Sequence, residues 1–317
     1  MTTYKEIRGT NIEAVASDPS NPVNGQVWYN TTTNTVKGLI INPGSWATGG
    51  NINTARNSTQ GSGVVSSAVI FGGNAPPGAP SGILTEIYNG TNWTEVNDLN
   101  TARLQFSSAG TTRDAALAIG GQGLTETETW NGTNWTEVND LNTARESTAS
   151  AGTNTAALTF GGSPVTAVTE KWNGTNWTEV NDLNTARRQI GGAGTNTAAL
   201  AFGGENPGAA NLAITELWNG TNWTEVGDLN TARATSGGAG ITNTSALCTG
   251  GNNTNLTESW NGTSWTELSD MTLSRLGATG SFGTQTSALI GGGYASGFLA
   301  TTEEWNAGPA TVTFSTS

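Results

Sequence analysis

One sixteen-residue sequence recurs along this chain of 317 residues and constrains its fold more than any other feature. Trp-Asn-Gly-Thr-Asn-Trp-Thr-Glu-Val-Asn-Asp-Leu-Asn-Thr-Ala-Arg spans residues 130–145 and returns at 172–187, with close copies at 88–103, 218–233 and 260–275. A Gly-Gly pair follows the final arginine of each copy by 16 or 17 residues, and the whole unit recurs every 42 to 47 residues. Self-similarity at this period predicts a repeat architecture, in which each unit is one small structural module.

Each unit has the pattern of four short strands. The small residues after the arginine, as in 189–193, suit an inner strand where neighbouring modules crowd together. The apolar stretch 197–204 predicts a second strand that ends in the Gly-Gly pair, and the Asn-Gly at 219–220 predicts a tight turn between a third and a fourth strand. This arrangement, with an aromatic pair on the last two strands, resembles the kelch repeat over about residues 44–305. The resemblance implies an all-β propeller of four-stranded blades.

The number of units and the two chain ends suggest how the array closes. The last unit supplies three strands, ending at Trp305, and the segment around Trp46 has the pattern of a fourth strand without a unit of its own. We therefore predict a six-bladed propeller in which N- and C-terminal strands share one blade. The predicted domains are a docking segment at 1–43 and the propeller at 44–317. The repeat arginine occurs at Arg56, Arg103, Arg145, Arg187, Arg233 and Arg275.

Composition excludes several functional classes. The net charge is −12 and we find no basic stripe, which argues against a nucleic-acid partner. The chain has no histidine, so imidazole-based catalytic triads and most zinc or copper sites are excluded. Its one cysteine, Cys248, cannot form an intramolecular disulfide. We predict no cofactor and no metal. We also predict no membrane insertion, because no stretch approaches the roughly 18 apolar residues of a membrane helix. Residues 1–8 lack the apolar run of a signal peptide.

The charged and aromatic residues of the repeat have both a chemical and a structural interpretation. The six arginines could grip an anion, and the paired tryptophans could stack on a sugar. A feature present in every unit is more simply explained by packing. We therefore favour ion pairs within or between blades, and half-buried hairpin tryptophans that pack on neighbouring blades. One aspartate per unit is too few for a calcium cage, and no carboxylate pair stands out as a glycosidase site. We predict that the chain is not an enzyme. The acidic residues nearest the repeat arginines are Asp98, Asp140, Asp182, Asp228 and Asp270, and glutamates such as Glu95, Glu137 and Glu179.

Length variation is confined almost entirely to one class of loop, between the second and third strands of each unit. These loops span 74–85, 122–127, 163–169, 205–215, 252–257 and 293–302. In a propeller they share one face, opposite the uniform Asn-Gly hairpins. Varied loops on a rigid frame are common recognition sites, although neutral drift of exposed loops would give the same pattern. The candidate binding residues are Pro76, Pro77, Pro80, Gln122, Pro164, Glu205, Asn206, Asn252, Asn253, Tyr294 and Phe298.

Residues 1–43 lie outside the repeat and carry a second resemblance. The pattern Asp-Pro-Ser-Asn-Pro-x-x-Gly-Gln-x-Trp-Tyr-Asn-Thr-Thr-x-Asn-x-x-Lys begins at Asp18. It resembles N-terminal segments of virion structural proteins from tailed phages, particularly marine ones. The resemblance implies that this segment docks the chain to other virion proteins. The candidate docking residues are Pro19, Pro22, Trp28 and Tyr29.

Together these features suggest a tail-fibre or tail-associated virion protein, assembled in the host cytoplasm, where proteins carry few disulfides. In this hypothesis the varied loops contact a glycan or protein of the host surface without chemical turnover. Two alternatives remain open. The chain could be a purely structural decoration of a capsid or tail, or a cellular kelch-like scaffold.

Overall fold

The computed structural model describes residues 12–23, 25–277 and 281–314. The first eleven residues of the predicted docking segment, including the stretch tested for a signal peptide, lie outside the described residues. Every regular element within these ranges is a β-strand. No helix long and apolar enough to cross a membrane occurs in this part of the chain.

The strands follow the repeat. The N-terminal strands are β1 (Glu13–Val15), β2 (Val27–Asn30) and β3 (Thr35–Thr48). Five repeats then give four strands each, and the last contributes three. In chain order they are β4 (Gln60–Val64), β5 (Ser67–Phe71), β6 (Thr85–Tyr88), β7 (Trp93–Glu95); β8 (Ser107–Thr112), β9 (Ala115–Gly121), β10 (Leu124–Trp130), β11 (Trp135–Val138); β12 (Ala149–Thr153), β13 (Ala156–Phe160), β14 (Thr169–Trp172), β15 (Trp177–Val180); β16 (Gly191–Thr195), β17 (Ala198–Phe202), β18 (Thr215–Trp218), β19 (Trp223–Glu225); β20 (Gly237–Thr242), β21 (Ser245–Thr249), β22 (Thr257–Trp260), β23 (Trp265–Glu267); and β24 (Ser281–Thr284), β25 (Ser287–Gly291), β26 (Thr302–Phe314).

These strands form five four-stranded sheets and one six-stranded sheet in the described residues. Each four-stranded sheet is antiparallel and keeps chain order from its first to its fourth strand. The first strands contact one another in sequence from β4 through β8, β12, β16 and β20 to β24, and β24 contacts β4. The six sheets are therefore arranged in a closed ring, with the first strand of each sheet innermost.

Small residues on the inner strands allow this crowding. A side chain at Gly238 on β20 would collide with the backbone oxygen of Gly192 on the neighbouring strand β16. The same crowding occurs at Gly192, which faces the backbone oxygen of Ser150 on β12. The predicted glycine-rich inner strand thus has a direct steric cause.

Adjacent sheets pack through aromatic residues. Trp223 on β19 makes an edge contact with Phe160 of the preceding sheet, with ring centroids 4.9 Å apart. Its indole nitrogen also donates to Thr169 Oγ1 of that sheet, at 3.2 Å. Trp223 and Phe160 belong to one buried cluster that also contains Leu158 and Trp218. The repeat tryptophans therefore hold neighbouring sheets together, as the packing interpretation expected.

The closing sheet combines both chain ends. Its order is β1-β2-β3-β26-β25-β24, so β3 takes the place of a fourth strand beside β26. Trp46 packs on Trp305 with ring centroids 5.4 Å apart and donates to Thr257 Oγ1 of the preceding sheet, at 2.9 Å. The predicted sharing of one sheet by N- and C-terminal strands is confirmed.

Each repeat arginine is buried and pairs with a glutamate on the third strand of its own sheet. Arg145 Nη2 lies 2.8 Å from Glu170 Oε1, and both side chains are inaccessible to solvent. Asn142, in the linker from the preceding sheet, donates its side-chain and backbone N–H groups to Glu170 Oε2. The pairs are Arg56–Glu86, Arg103–Glu128, Arg145–Glu170, Arg187–Glu216, Arg233–Glu258 and Arg275–Glu303.

The partners of the arginines differ from those suggested by proximity in sequence. The fourth-strand glutamates Glu95, Glu137 and Glu179 point to solvent. Four of the five repeat aspartates accept a backbone hydrogen bond instead, as in Thr169 N to Asp182 Oδ1 at 3.1 Å. Asp140 accepts from the hydroxyl of Thr125. Proximity in sequence did not identify the partner glutamate, because the third strand lies beside the arginine only in the folded sheet.

The contacts divide the chain into two units. Unit 2 runs from Ser45 to Asn306, and unit 1 comprises the chain up to Gly44 together with the segment from Ala307. The boundary between the two units at the N-terminal side follows Gly44, one residue after the predicted boundary at 43. The C-terminal segment, which the prediction assigned to the propeller, belongs to unit 1.

In unit 1, the carboxylate of Asp18 joins the extended tract to the hairpin of β2 and β3. It accepts hydrogen bonds from Trp28 Nε1 (3.0 Å), Asn30 Nδ2 (2.7 Å) and Lys37 Nζ (2.8 Å). Lys37, followed by Asn30 and Trp28, lowers the pKa of Asp18 to about 2. The residues that carry the phage-like pattern therefore bind one another.

Candidate functional site

The two ends of the ring of sheets in unit 2 differ in character. The turns between the third and fourth strands are near-copies, in which the Asn of Asn-Gly accepts two backbone N–H groups, as at Asn173. At the opposite end lie the loops between the second and third strands and the linkers that bring in each arginine. This loop end carries nearly all the length variation between repeats.

A pocket of about 320 Å³, which we call the mouth, opens at the loop end near the inner strands. Its lining includes five amide side chains, from Asn57, Gln105, Gln189, Asn211 and Asn252. Glu205 is the one ionisable residue among the described residues that line it. The mouth is thus polar and almost uncharged.

Most of the mouth is built by two residues that follow each repeat arginine, which we call the variable pairs. The four residues before them are Asn-Thr-Ala-Arg in five of the six repeats, whereas the six variable pairs are all different. Eight of the eleven lining residues belong to variable pairs: Asn57, Ser58, Gln105, Gln189, Ala234, Thr235, Leu276 and Gly277. Alignment of the repeats against one another could have found these residues, because their variability contrasts with the constancy just before them. Our loop-length comparison missed them.

The second residue of every variable pair has a left-handed backbone, with φ from 53° to 64°. This conformation turns the chain from the linker into the inner strand, and it joins neighbouring sheets. Gln189 N donates to Ser147 O (2.8 Å), and Thr235 N donates to Gln189 O (3.0 Å). Ser58 N likewise donates to Gly277 O (3.3 Å) across the closure of the ring. These hydrogen bonds fix the backbone from which the side chains around the mouth project.

The first residue of each variable pair is tied to the loop between the second and third strands. Leu276 and Tyr294 exchange two backbone hydrogen bonds, of 2.8 and 2.9 Å. Arg188 and Glu205 exchange backbone hydrogen bonds in the same way, and their side chains form a salt bridge. That pair neutralises the one carboxylate of the mouth.

The structure brings four of the predicted binding residues to the mouth or its edge. Glu205 and Asn252 line it directly. Tyr294 and Phe298 form an edge-on aromatic pair, with centroids 5.4 Å apart, and Tyr294 lies beside the exposed lining residue Leu276. An apolar and aromatic patch thus borders the amide-lined pocket.

The other predicted binding residues do not line the mouth. Gln122 occupies a two-residue turn, because β10 begins at Leu124 and the expected loop 122–127 is largely strand. Asn206 Oδ1 accepts the backbone N–H groups of Gly208 and Ala210 and so organises its own loop. The remaining residues lie elsewhere on the loops: Pro76, Pro77, Pro80, Pro164 and Asn253.

The predicted docking residues differ in their exposure to solvent. Trp28 is fully buried, so its side chain packs within unit 1. Pro19, Pro22 and Tyr29 are partly exposed. The large apolar side chain most exposed in the described part of unit 1 is Val23, at 68%. Sequence favoured the aromatic residue, but its indole N–H is used by Asp18.

A second cavity, of about 300 Å³, runs between the inner strands. It is lined by small, hydroxyl-bearing and apolar residues, and no charged residue lines it in the described part of the chain. Among the described lining residues, neither cavity has a pair of titratable groups of the kind used in acid–base chemistry.

No protein-family model matches the chain, and no curated protein matches its sequence. Among solved structures, 436 chains are similar, and one of them is described as "Structure of YjhT". It superposes with a TM-score of 0.64 at 12% sequence identity, over 84% of this chain and 96% of that chain. The fold is a kelch-like β-propeller. At this identity the similarity extends to the fold of the propeller and no further, so function has to be argued from the mouth itself.

Proposed function

We propose that the chain is a non-enzymatic virion protein that displays its propeller for binding to a host surface through the loop end. The mouth carries this proposal, since it is a preformed polar pocket built from the residues that vary most between otherwise similar repeats. Varied residues on a rigid frame are the usual arrangement of a recognition site. The pocket volume lies at the lower end of the range for small-ligand sites.

The placement in a virion is supported by the phage-like pattern that begins at Asp18. Residues of that pattern hydrogen-bond to Asp18, so the pattern belongs to a small folded unit. In the proposal this unit attaches the chain to other virion proteins through its exposed residues, such as Val23.

The test uses site-directed blocking of the two ends. The native Cys248 is fully buried, and burial raises the pKa of its thiol, so an added surface cysteine can be modified selectively. Asn211→Cys places a thiol at the mouth, and Thr175→Cys places one on an exposed hairpin at the opposite end. Each full-length variant is coupled to a polyethylene glycol maleimide and incubated with intact candidate host bacteria.

We expect the unmodified chain and the Thr175→Cys conjugate to bind cells and to block phage adsorption, and the Asn211→Cys conjugate to do neither. Absence of cell binding by the unmodified chain would favour a structural decoration instead. Equal loss of binding in both conjugates would contradict recognition through the loop end.

A further inference from the structure

The variable pairs retain side chains where the backbone favours glycine. Gln105 and Gln189 have φ values of 54° and 56°, a left-handed conformation that disfavours every residue with a Cβ. The equivalent position in the last repeat is Gly277, so glycine fits this frame. A side chain kept at a strained position is grounds for a functional hypothesis. Here those side chains converge on the mouth.

Apart from Glu205, the polar side chains that line the mouth are amides and hydroxyls. The amides of Gln105 and Gln189 can both donate and accept hydrogen bonds, which suits a ligand rich in hydroxyl groups.

The charges favour an uncharged ligand. Arg188 and Glu205 pair with each other, so the mouth offers neither a free cation nor a free carboxylate among the described residues. The six buried Arg–Glu pairs cancel, so the net charge of −12 is carried by the other residues of the chain. An anionic ligand would meet repulsion without a compensating partner.

We infer that the mouth binds an uncharged sugar residue, and that the variable pairs determine which sugar it accepts. The amides and hydroxyls contact the sugar hydroxyl groups, and Leu276 covers an apolar face of the ring. This inference rests on the proposed host-surface binding, for which it names the ligand.

The experiment compares glycine substitutions at equivalent backbone positions in the full-length chain. Gln105→Gly and Gln189→Gly together remove two side chains from the mouth without straining the backbone. Ser147→Gly changes the same backbone position in a repeat whose residue does not line the mouth. Binding is measured by saturation-transfer NMR with glucose, galactose, mannose and N-acetylglucosamine, and with glucuronic and galacturonic acids as carboxylate-bearing counterparts of the first two.

We expect at least one uncharged sugar to bind, its acid counterpart to bind at least 10-fold more weakly, and the double glycine variant to lose at least 10-fold in affinity. Ser147→Gly should change the affinity by less than 2-fold. Equal binding of sugar and acid, no binding of any uncharged sugar, or equal loss in the double variant and Ser147→Gly would overturn the inference.

Parallel binding to host cells separates this inference from the function on which it rests. Periodate cleaves vicinal diols of cell-surface glycans, and protease removes surface proteins. Cell binding that survives periodate but not protease would keep host recognition and overturn the sugar assignment. Sugar binding without cell binding would keep the sugar site and overturn the host-surface function.

Discussion

Each third-strand glutamate serves as the anchor for the linker that arrives from the preceding sheet. Glu170 accepts hydrogen bonds from Asn142 with one oxygen and from Arg145 with the other. Arg145 also donates to the backbone oxygens of Gly161 and Val168, at the end of the second strand and before the third. One arginine thus fixes the linker, the loop and the third strand of a sheet together.

Removal of one member of such a pair should be costly because the other remains buried. Burial lowers the pKa of Arg145, and Glu170 opposes this shift. Arg145→Met would leave Glu170 without a cation, and we expect it to lower the free energy of unfolding by about 3–5 kcal/mol. The double variant Arg145→Met/Glu170→Leu should cost less than the two single changes added together. Urea unfolding of the three variants measures this coupling, and strict additivity would contradict it.

Asp18 gives unit 1 a defined response to acid. Its pKa falls from the ordinary 3.8 to about 2, so its hydrogen bonds contribute full stability above about pH 4. That contribution is lost as the pH falls through 2, because the protonated carboxyl no longer attracts Lys37. We expect the Trp28 indole N–H resonance to shift between about pH 3 and pH 1, with the midpoint at about pH 2. Asp18→Asn should abolish this step and leave the Trp177 indole resonance unchanged. Persistence of the step in Asp18→Asn would assign it to another group.

At the level of strands and loops, the repeat predicted most of the fold. Gly-Gly, Asn-Gly and the paired aromatic residues determine turns and strand ends in their immediate neighbourhood. Their spacing in the sequence therefore located the strands of each sheet. The orphan strand at Trp46 was identifiable because the last repeat lacks a fourth strand. Residues 307–314, which the prediction placed in the propeller, group with unit 1, and the single strand β26 contains residues of both units.

The mouth was harder to predict than the sheets. Glu205 and Asn252 were identified through loop length, but the variable pairs lie in linkers of constant length and give no such signal. Their convergence depends on closure of the ring, which brings residues as distant in sequence as Asn57 and Gly277 to the same pocket. Sequence alone could not place Trp28 either, because an aromatic residue in a short hairpin can pack in the interior or lie on the surface. In the structure it is buried, and its indole N–H donates to Asp18.

At the level of the whole ring, one junction between sheets differs from the others. Elsewhere the fourth-strand tryptophan donates to a third-strand threonine of the preceding sheet, as Trp135 does to Thr85 at 3.0 Å. Trp93 should bond to Thr302 of the closing sheet in the same way. Thr302 Oγ1 donates instead to Gly50 O, at 2.7 Å, and Trp93 Nε1 is buried without a partner among the described residues. The junction that closes the ring therefore lacks a bond that the other five have.

This difference predicts unequal effects of one substitution at two equivalent sites. Trp93 and Trp135 are each 5% exposed, but Trp135→Phe loses a hydrogen bond and leaves Thr85 Oγ1 unpaired, whereas Trp93→Phe removes a buried N–H that has no partner. We expect Trp135→Phe to lower the free energy of unfolding by about 1 kcal/mol more than Trp93→Phe. Thermal and urea unfolding provide the comparison.

Hydrogen exchange of the unsubstituted chain adds a second readout. Strands β4 and β24 flank the weaker junction, so their amides should exchange faster than those of β12 and β16. Equal costs of the two substitutions, with uniform exchange around the ring, would mean that closure is as strong as any other junction.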